Sequence, residues 1–327
     1  MVHIENKVTT SNIVFYYVIK DQCTNETMPH NMYDKPFLKW LGGKSDICED
    51  IINQFPRTFS SFHEVFLGSG SVLIHVLHLI QTNSLRCDGV VCAYDTNTAL
   101  IATFKNIQIA CDDLVRNCKV LQDDYNNASN KSDMYYDLRS TYNSLLDKTC
   151  TYASALFVFL NKTCFRGIYR ESRKSGFNVP FGNYMKVNLL DSRHAKHLSI
   201  MFRQVRFYTQ SYEVTLQSLE KGALVYLDPP YMPVKVTSFV KYTNDGFTWK
   251  DHHHFFYSVA RLHQLGVFFV MSNSSLEDIL TVFTDFDIKR IVCKRKITPK
   301  NPNANCVELL ITNANKLVDT SSFPVIL

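Results

Sequence analysis

The sequence lacks several features that would place it in a simple functional class. None of its ten cysteines forms a CxxC pair, and the nearest pair, Cys87 and Cys92, does not have the spacing of zinc ligands. No apolar run approaches the roughly 20 residues that a membrane-spanning helix needs. Internal repeats and low-complexity tracts are also missing, so a repeat array, a zinc ribbon and a membrane anchor are not predicted.

The sequence also lacks a large excess of either positive or negative charge. Lysine and arginine total 35 against 30 acidic residues, a formal charge of +5. This balance permits a polyanionic partner without requiring one, so a nucleic-acid-binding face must come from local clustering. The N-terminus carries no basic segment followed by an apolar run, which a secretory signal would have. We therefore expect an intracellular protein with reduced cysteines, in a bacterial cytoplasm or a virus-infected host cell.

The sequence does contain enough apolar residues for a large core. They make up 46% of the 327 residues, enough for one large α/β domain and a smaller one. Apolar periodicity predicts strands at 62–67, 89–94, 224–227, 267–271 and 309–312, with helices from 71, from 98 and over 251–265. The intervening region has two parts: amphipathic helical spacing over 111–148, then a basic and aromatic stretch over 162–186 with a hairpin turn at Ser175-Gly176. Together these predict a doubly wound sheet interrupted by a second domain.

The sharpest motif follows the strand at 224–227 and reads Asp228-Pro229-Pro230-Tyr231. Ligands of open α/β sheets bind beyond the carboxyl ends of strands, and the two prolines stiffen the turn there. The Asp228 carboxylate and the Pro229 carbonyl can both accept hydrogen bonds from an amino group, while Tyr231 offers a stacking surface. The purely structural alternative is a rigid loop whose aspartate caps a helix.

This arrangement suits methyl transfer to N6 of adenine. The lone pair of that nitrogen is delocalised into the ring, so two acceptors are needed to turn it toward a methyl donor. The base must leave the helix stack to reach such a pocket.

Two further segments are candidates for a nucleoside cofactor site. Residues 64–72 (EVFLGSGSV) place Phe66, Gly68, Ser69 and Gly70 between a strand and a helix, where glycine lets a backbone approach a ligand closely. The pattern is not GxGxxG, so a dinucleotide site is not predicted, and a plain connector is an alternative. Asp95 ends the next strand, where it would accept ribose hydroxyls or cap a helix.

A third segment, residues 35–44 (KPFLKWLGGK), holds Trp40, one of only two tryptophans, beside a Gly-Gly-Lys turn. Trp40 would cover a cofactor and Lys44 would reach its carboxylate. The alternative is a surface loop with a half-buried tryptophan.

In this order, the segments resemble the Dam-like DNA adenine methyltransferase family (D12 class, α-group). Three more stretches strengthen the resemblance: residues 161–170 (NKTCFRGIYR) with 176–184 (GFNVPFGNY) are similar to its DNA-reading hairpin, 136–139 (YDLR) with Tyr142 and Asn143 to its helical recognition insert, and 272–273 with 308–313 (ELLITN) to its later segments. The match runs from about residue 35 to about 314.

The resemblance implies a Rossmann-like S-adenosylmethionine-dependent methyltransferase fold, with a seven-stranded sheet, one antiparallel strand and a small target-recognition domain. It implies a catalytic domain at 35–110 and 187–327, a target-recognition domain at 111–186 and an N-terminal extension at 1–34. The implied cofactor-binding residues are Trp40, Lys44, Phe66, Gly68, Ser69, Gly70, Asp95, Ser211, Tyr212 and Asp228. The implied catalytic residues are Asp228, Pro229, Pro230 and Tyr231.

The resemblance also implies double-stranded DNA as the substrate, with a short palindromic site of the GATC or CATG type. The residues expected to contact DNA are Arg139, Lys162, Thr163, Arg166, Tyr169, Arg170, Asn178 and Pro180, with Arg173 and the run 294–296 as further basic candidates. Arginine can read guanine by a bidentate contact, and Arg166 and Arg170 are the candidates; the alternative is that these charges touch only phosphate or solvent. Arg166 departs from the family, which often has Asn there, and Lys162 stands where Arg is usual.

Several alternatives remain at this level. Three consecutive histidines, His252 to His254, point in different directions on a helix, so we predict no metal site. Cys164 could suggest the nucleophile of cytosine C5 methylation, but it lacks a preceding proline and a packing role is favoured. The chemistry would also serve RNA or cytosine N4, and an inactive DNA-binding relative would keep the fold. A restriction endonuclease that shares the site is a further expected partner, and both a monomer and a homodimer are consistent with the sequence.

Overall fold

The computed structural model describes residues 34–172, 174–231, 247–275, 277–294 and 305–318. The N-terminal extension up to residue 33, Arg173, Arg295 and Lys296 lie outside the described residues. The strands are β1 (Thr58–Phe59), β2 (Phe62–Glu64), β3 (Arg86–Cys87), β4 (Val91–Asp95), β5 (Glu171–Ser172), β6 (Gly176–Phe177), β7 (Val205–Thr209), β8 (Leu224–Leu227), β9 (Phe268–Ser274), β10 (Asp287–Lys294) and β11 (Asn305–Thr312). The helices are α1 (Cys48–Ile52), α2 (Ser71–Gln81), α3 (Thr98–Ile109), α4 (Cys111–Asn127), α5 (Lys131–Ser144), α6 (Thr151–Thr163), α7 (Ser192–Phe202), α8 (Tyr212–Gln217), α9 (Trp249–Gln264), α10 (Glu277–Val282) and α11 (Ala314–Val318).

The main sheet of the described chain has seven strands, in the order β10-β11-β9-β8-β2-β4-β7. All adjacent pairs from β9 to β7 are parallel, whereas β11 runs antiparallel to both β9 and β10. The chain leaves β2 for β4 and β7 on one side and returns to β8 on the other, so the topological switch point lies between β2 and β8. The expected doubly wound α/β sheet with one antiparallel strand is confirmed.

The sheet is buried on both faces, and strand alternation divides its side chains between two cores. Leu224 and Tyr226 face one core, which also contains apolar residues of α1, α2, α3 and α7. Val225 and Leu227 face the other, formed with residues of α8, α9 and α10. Period-two alternation within an all-apolar strand is therefore what allows helices to cover both sides.

The inserted helices and hairpin form a layer that is continuous with the first core. Helices α4, α5 and α6 contribute Tyr125, Tyr135, Tyr142 and Phe159, all buried, to the same cluster as α3 of the sheet domain. The short strands β5 and β6 pair in antiparallel fashion, which confirms the hairpin around Ser175-Gly176. The domain boundaries at 110 and 187 stay predictions, because a shared core does not mark where one unit ends.

The sequence did not predict the short pair β1 and β3, nor two strands of the main sheet, β7 and β10, which lie at its edges. Edge strands are half exposed and carry charged side chains, as Arg206, Lys289 and Arg290 do here, so they lack a continuous apolar run. No helix among the residues described is long and apolar enough to span a bilayer.

The buried ring of Phe104 in α3 gives a direct test of this core. It is fully buried and lies 5.1 Å from Phe37, 5.6 Å from Phe202 and 5.5 Å from Phe207, measured between ring centroids. We expect Phe104→Ala to lower the free energy of unfolding by about 3–5 kcal/mol, because the surrounding rings cannot close the cavity. Urea denaturation measures this.

Ile109→Ala is the matched control, because Ile109 ends the same helix and is 76% exposed. It should change stability by no more than about 0.5 kcal/mol. Equal losses for the two variants would contradict the described core.

Candidate active site

Three acidic residues meet at one edge of the sheet because their strands are adjacent and parallel. Glu64 ends β2, Asp95 ends β4 and Asp228 follows β8 directly. The carboxyl ends of these strands flank the switch point, which is where open α/β sheets bind ligands. The predicted catalytic and cofactor-binding motifs are therefore brought to the same edge.

Asp228 is held by Lys44. The Lys44 ammonium lies 2.7 Å from Asp228 Oδ2, with the two side chains 6% and 19% exposed, and it also donates to the Gly42 carbonyl at 2.7 Å. Burial raises the pKa of Asp228, and the Lys44 charge and hydrogen bond oppose that rise. The other oxygen, Oδ1, is buried and has no hydrogen-bond partner within the described residues. Lys44 was expected at a cofactor carboxylate, but in this structure it forms an ion pair with Asp228, the aspartate predicted to be catalytic.

Glu64 lies under this pair and is 2% exposed. Burial, followed by the nearby charges of Asp228 and Asp95, raises its pKa well above the usual carboxyl range. Its Oε2 atom is buried and also lacks a partner in the part of the chain described. The neutral acid is favoured because a second buried carboxylate beside Asp228 would repel it.

Tyr231 lies next to the ion pair of Lys44 and Asp228. Lys44 Nζ is 5.0 Å from the centre of its ring, and its hydroxyl donates to Glu308 Oε2 at 2.9 Å. Burial raises the pKa of Tyr231, and the neighbouring Asp228 and Glu308 charges raise it further, so the hydroxyl remains a donor.

The glycine turn contacts both Trp40 and Asp95. Gly68 and Gly70 have φ of +49° and +70°, and a Cβ on Gly68 would lie 2.9 Å from Trp40 Cδ1. The Gly68 amide donates to Asp95 Oδ2 at 3.2 Å, while Asp95 Oδ1 accepts from the Asn97 amide at 2.9 Å. The turn is thus built from bare backbone, with the tryptophan ring against it.

The predicted residues Phe66 and Tyr212 are also neighbours, with ring centroids 6.1 Å apart. Tyr212 follows Ser211 at the start of α8, and its hydroxyl lies 3.2 Å from His254 Nδ1. His252 is instead buried against Phe247, where burial lowers its pKa to about 4.

These features fit a polar, nucleoside-sized cofactor. Asp228 Oδ1 and Glu64 Oε2 are buried acid oxygens without partners in the described chain, and a ligand that donates hydrogen bonds would satisfy them. A cavity of about 300 Å³ follows β4 and is lined by residues 96–99, Lys148, Tyr169 and Glu171.

The hairpin is attached to helix α5 through one helix face. Tyr135, Arg139 and Asn143 recur every four residues, and each bonds the hairpin backbone: the first two donate to the Val179 carbonyl at 2.7 and 3.1 Å, and Asn143 exchanges bonds with Phe177. Arg139, expected to touch DNA, therefore braces the hairpin in this structure.

The other predicted DNA contacts fall into two groups. Arg166, Arg170 and Pro180 are exposed, and Asn178 accepts from Arg170 Nε at 2.6 Å. In contrast, Thr163 is fully buried and donates to Phe159 within α6, while Tyr169 stacks on Trp40 with centroids 5.7 Å apart. These two serve packing in the structure described.

Lys162 and Cys164 are also enclosed by their surroundings. Burial, with the nearby Lys39 charge, lowers the pKa of Lys162 to about 8. Cys164 is fully buried, its thiol donates to the Ile168 carbonyl at 3.3 Å, and burial raises its pKa to about 11. A thiol in this state favours the packing role over a nucleophile.

Arg166 has φ of +57°, in the left-handed region. An L-residue pays roughly 1–2 kcal/mol there, whereas asparagine tolerates it better. This gives a physical reason why asparagine is common at this position in the family that the sequence resembles. Arg166 is one of the two residues proposed to read bases.

Sequence reasoning missed Glu64 and Glu308 as parts of the site. Glu64 carried a usable signal, an acid at the end of an apolar strand beside the glycine turn. Glu308 carried none of its own, because its contact with Tyr231 joins positions 77 residues apart.

Comparison with known proteins agrees with this geometry. A model of the D12 class N6 adenine-specific DNA methyltransferases matches residues 40–297. The chain is 31% identical over 291 residues to the Type II methyltransferase M.MjaIII of Methanocaldococcus jannaschii, covering 85% of this chain and 99% of that protein. It is 33% identical over 238 residues to a DNA adenine methylase of Serratia marcescens, covering 72% and 80%. The expected family resemblance is confirmed.

Gly68→Ala tests the contact between the glycine turn and Trp40. The variant must adopt a left-handed conformation at a cost of roughly 1–2 kcal/mol, and its Cβ must displace the Trp40 ring. We expect the affinity for S-adenosylmethionine to fall on the order of tenfold or more, because small displacements in a site have large effects. Calorimetry measures the affinity.

Gly222→Ala is the control for backbone strain. Gly222 has φ of +84°, but an added Cβ would make only an ordinary 3.4 Å contact with Ser60. It should lose stability and keep cofactor affinity. Equal cofactor affinity in the two variants would contradict a role for the turn.

Glu64→Gln tests the raised pKa of Glu64. The folded state holds the protonated acid, so its stability contribution is present at acidic pH and is lost as the pH rises toward the folded-state pKa. Glutamine cannot ionise. The free energy of unfolding of the variant should therefore rise relative to that of the wild type by about 1.4 kcal/mol for each pH unit between the ordinary carboxyl pKa and the raised folded-state pKa.

Urea denaturation from about pH 5 to about pH 8 gives the two stability curves. Glu220→Gln, at an exposed turn position, controls for the substitution itself. A constant difference between Glu64→Gln and wild type at every pH would show that burial does not raise this pKa.

Proposed function

The chain belongs to the D12 class N6 adenine-specific DNA methyltransferase family, and from this premise we propose that Asp228, Pro229, Pro230 and Tyr231 form the pocket that receives a flipped adenine. The protein transfers a methyl group from S-adenosylmethionine to N6 of adenine in DNA. The observation that carries the proposal is the buried Oδ1 of Asp228, an acceptor with no partner among the described residues.

The two Asp228 oxygens have different partners, and this difference explains how the pocket would orient an amine. Lys44 binds Oδ2 at 2.7 Å and fixes the carboxylate, which leaves Oδ1 to accept one N–H of the adenine amine. The Pro229 carbonyl accepts the second N–H, so the lone pair turns out of the ring plane. The carboxylate also stabilises the positive charge that develops on the nitrogen.

The proposed cofactor site consists of residues in and around the glycine turn, the segment before α1, the end of β4 and the start of α8. S-adenosylmethionine, when bound, supplies an electrophilic methyl group on a sulfonium. The residues that would hold it are Trp40, Lys44, Phe66, Gly68, Ser69, Gly70, Asp95, Ser211 and Tyr212. Asp95 has both oxygens occupied by backbone amides, so a ribose would share or replace those bonds.

The exposed hairpin would read the DNA sequence. Arg166 and Arg170 lie on its surface, and the ladder of hydrogen bonds to α5 fixes its position. We place Asn178 and the exposed Pro180 beside them, and assign the bonded or enclosed residues Arg139, Lys162, Thr163 and Tyr169 to holding the loop. We propose a short palindrome of the GATC or CATG type as the target, as the family resemblance implies. A restriction endonuclease that shares the site is proposed because a similar protein is named a Type II methyltransferase. An intracellular location follows from a DNA substrate.

Asp228→Ala should abolish methyl transfer. Losing the acceptor removes the orientation of the amine and one electrostatic contact, which we expect to lower kcat by at least about a hundredfold. Transfer of a labelled methyl group to duplex DNA measures this, and cofactor affinity should weaken because Lys44 loses its partner. Asp88→Ala, at an exposed aspartate of a surface turn, is the control and should remain active.

Analysis of the digested product decides between the remaining substrates. N6-methyladenine is the expected nucleoside; N4-methylcytosine, or transfer to RNA alone, would contradict the assignment of substrate. A wild-type protein that binds no S-adenosylmethionine in calorimetry would instead be an inactive relative.

Arg170→Ala should relax sequence specificity. A bidentate contact to guanine is worth about 1–3 kcal/mol against a wrong base, so methylation at sites that differ in one base pair should rise relative to the preferred site. Sequencing of methylated plasmid gives the target and these ratios together. Lys186 is an exposed lysine after the hairpin that can contact only the phosphate backbone, so Lys186→Ala should weaken methylation equally at all sites. An unchanged site preference in Arg170→Ala would refute base reading by this residue.

A further inference from the structure

Glu308 contacts Tyr231, the proposed stacking residue, from β11, which lies two strands away from β8 in the sheet. It lies in the antiparallel strand β11, opposite Ser274 of β9 and Ile291 of β10. From this position its Oε2 accepts the hydrogen bond of the Tyr231 hydroxyl at 2.9 Å. Two segments distant in sequence, the loop after β8 and the reversed strand, are joined at the pocket by this one bond.

Three features of the described residues restrain the Tyr231 ring. The preceding prolines restrict the backbone, Lys44 covers one ring face with its ammonium 5.0 Å from the ring centre, and Glu308 fixes the tip. A base stacked on this ring would use the opposite face, and its position would follow that of the ring.

The bond joins an acidic acceptor to a phenolic donor. The acceptor is a carboxylate and the donor is a phenol that remains protonated, because burial and the Asp228 and Glu308 charges raise the pKa of Tyr231. Hydrogen bonds to charged groups are stronger than neutral ones, and leaving a partly buried carboxylate without its donor is costly.

We propose that Glu308 is a positioning residue, whose carboxylate fixes the Tyr231 ring in the orientation that receives the target adenine. The inference rests on the proposed stacking role of Tyr231. Glu308 acts through the hydroxyl and touches no reacting atom. Glu308 should therefore matter only while the Tyr231 hydroxyl is present, so removing Glu308 from a variant that already lacks the hydroxyl should add nothing.

The test is a double-mutant cycle with Tyr231→Phe, Glu308→Ala, the combined variant and Glu308→Gln. The substrate is a duplex with the site found by plasmid sequencing, and a second duplex carries 2-aminopurine at the target adenine, whose fluorescence rises on unstacking. We expect Tyr231→Phe and Glu308→Ala each to lower kcat about tenfold, the size of one lost charge-assisted hydrogen bond. Both should reduce the fluorescence increase, and the combined variant should match the single ones.

Glu308→Gln keeps an acceptor oxygen and should retain most of the activity and fluorescence. Calorimetry with S-adenosylmethionine checks folding, and Glu220→Ala, an exposed glutamate, is the neutral control. Losses that multiply in the combined variant, or a Gln variant as impaired as Ala, would overturn the positioning role. A wild-type protein that methylates no adenine would instead refute the proposed function, and this inference with it.

Discussion

The ion pair between Lys44 and Asp228 is the constraint on which the rest of the site depends. A carboxylate this deep in the sheet edge costs free energy unless an opposite charge accompanies it, and Lys44 provides that charge at 2.7 Å. The lysine occupies only one of the two oxygens. A carboxylate with one oxygen fixed and the other without a partner can orient an amine. A carboxyl that is protonated, or whose two oxygens both already accept hydrogen bonds, cannot.

The fold supplies the elements that make this pair possible. Lys44 comes from the segment before α1, and its backbone amide bonds Ser71 at the start of α2. Asp228 comes from β8, on the other side of the switch point. The same edge carries the glycine turn, Asp95 and the buried acid Glu64. The residues that we propose to hold the methyl donor and those that we propose to orient the amine therefore lie at adjacent strand ends, and α5 braces the hairpin that we propose to contact DNA.

The sequence predicted the parts of this arrangement that are local. Strand ends, the glycine turn and the Asp-Pro-Pro-Tyr motif follow from short-range patterns, and the sheet class follows from their order. The partner of Lys44 could not be predicted, because the ion pair joins positions far apart in the chain and a cofactor carboxylate was an equally good electrostatic partner. The roles of Thr163, Tyr169 and Arg139 were obscured for a related reason. Their residue types suit DNA, and only packing shows that they face the protein.

The edge strands β7 and β10 illustrate the other limit of sequence reasoning. Their side chains are only partly buried and include charges, so their apolar signal is weak, although each strand pairs along its whole length with its one neighbour. Glu308 lies one strand in from that edge, where an acid within an apolar strand signals a buried polar contact without naming its partner.

A crystal structure of the protein with a non-reactive cofactor analogue and a duplex carrying its target site tests the central claim most directly. The account predicts an extrahelical adenine whose N6 lies within hydrogen-bond distance of Asp228 Oδ1 and of the Pro229 carbonyl, with its ring against Tyr231. An adenine still paired in the helix, or an Asp228 side chain turned away from the base, would contradict it.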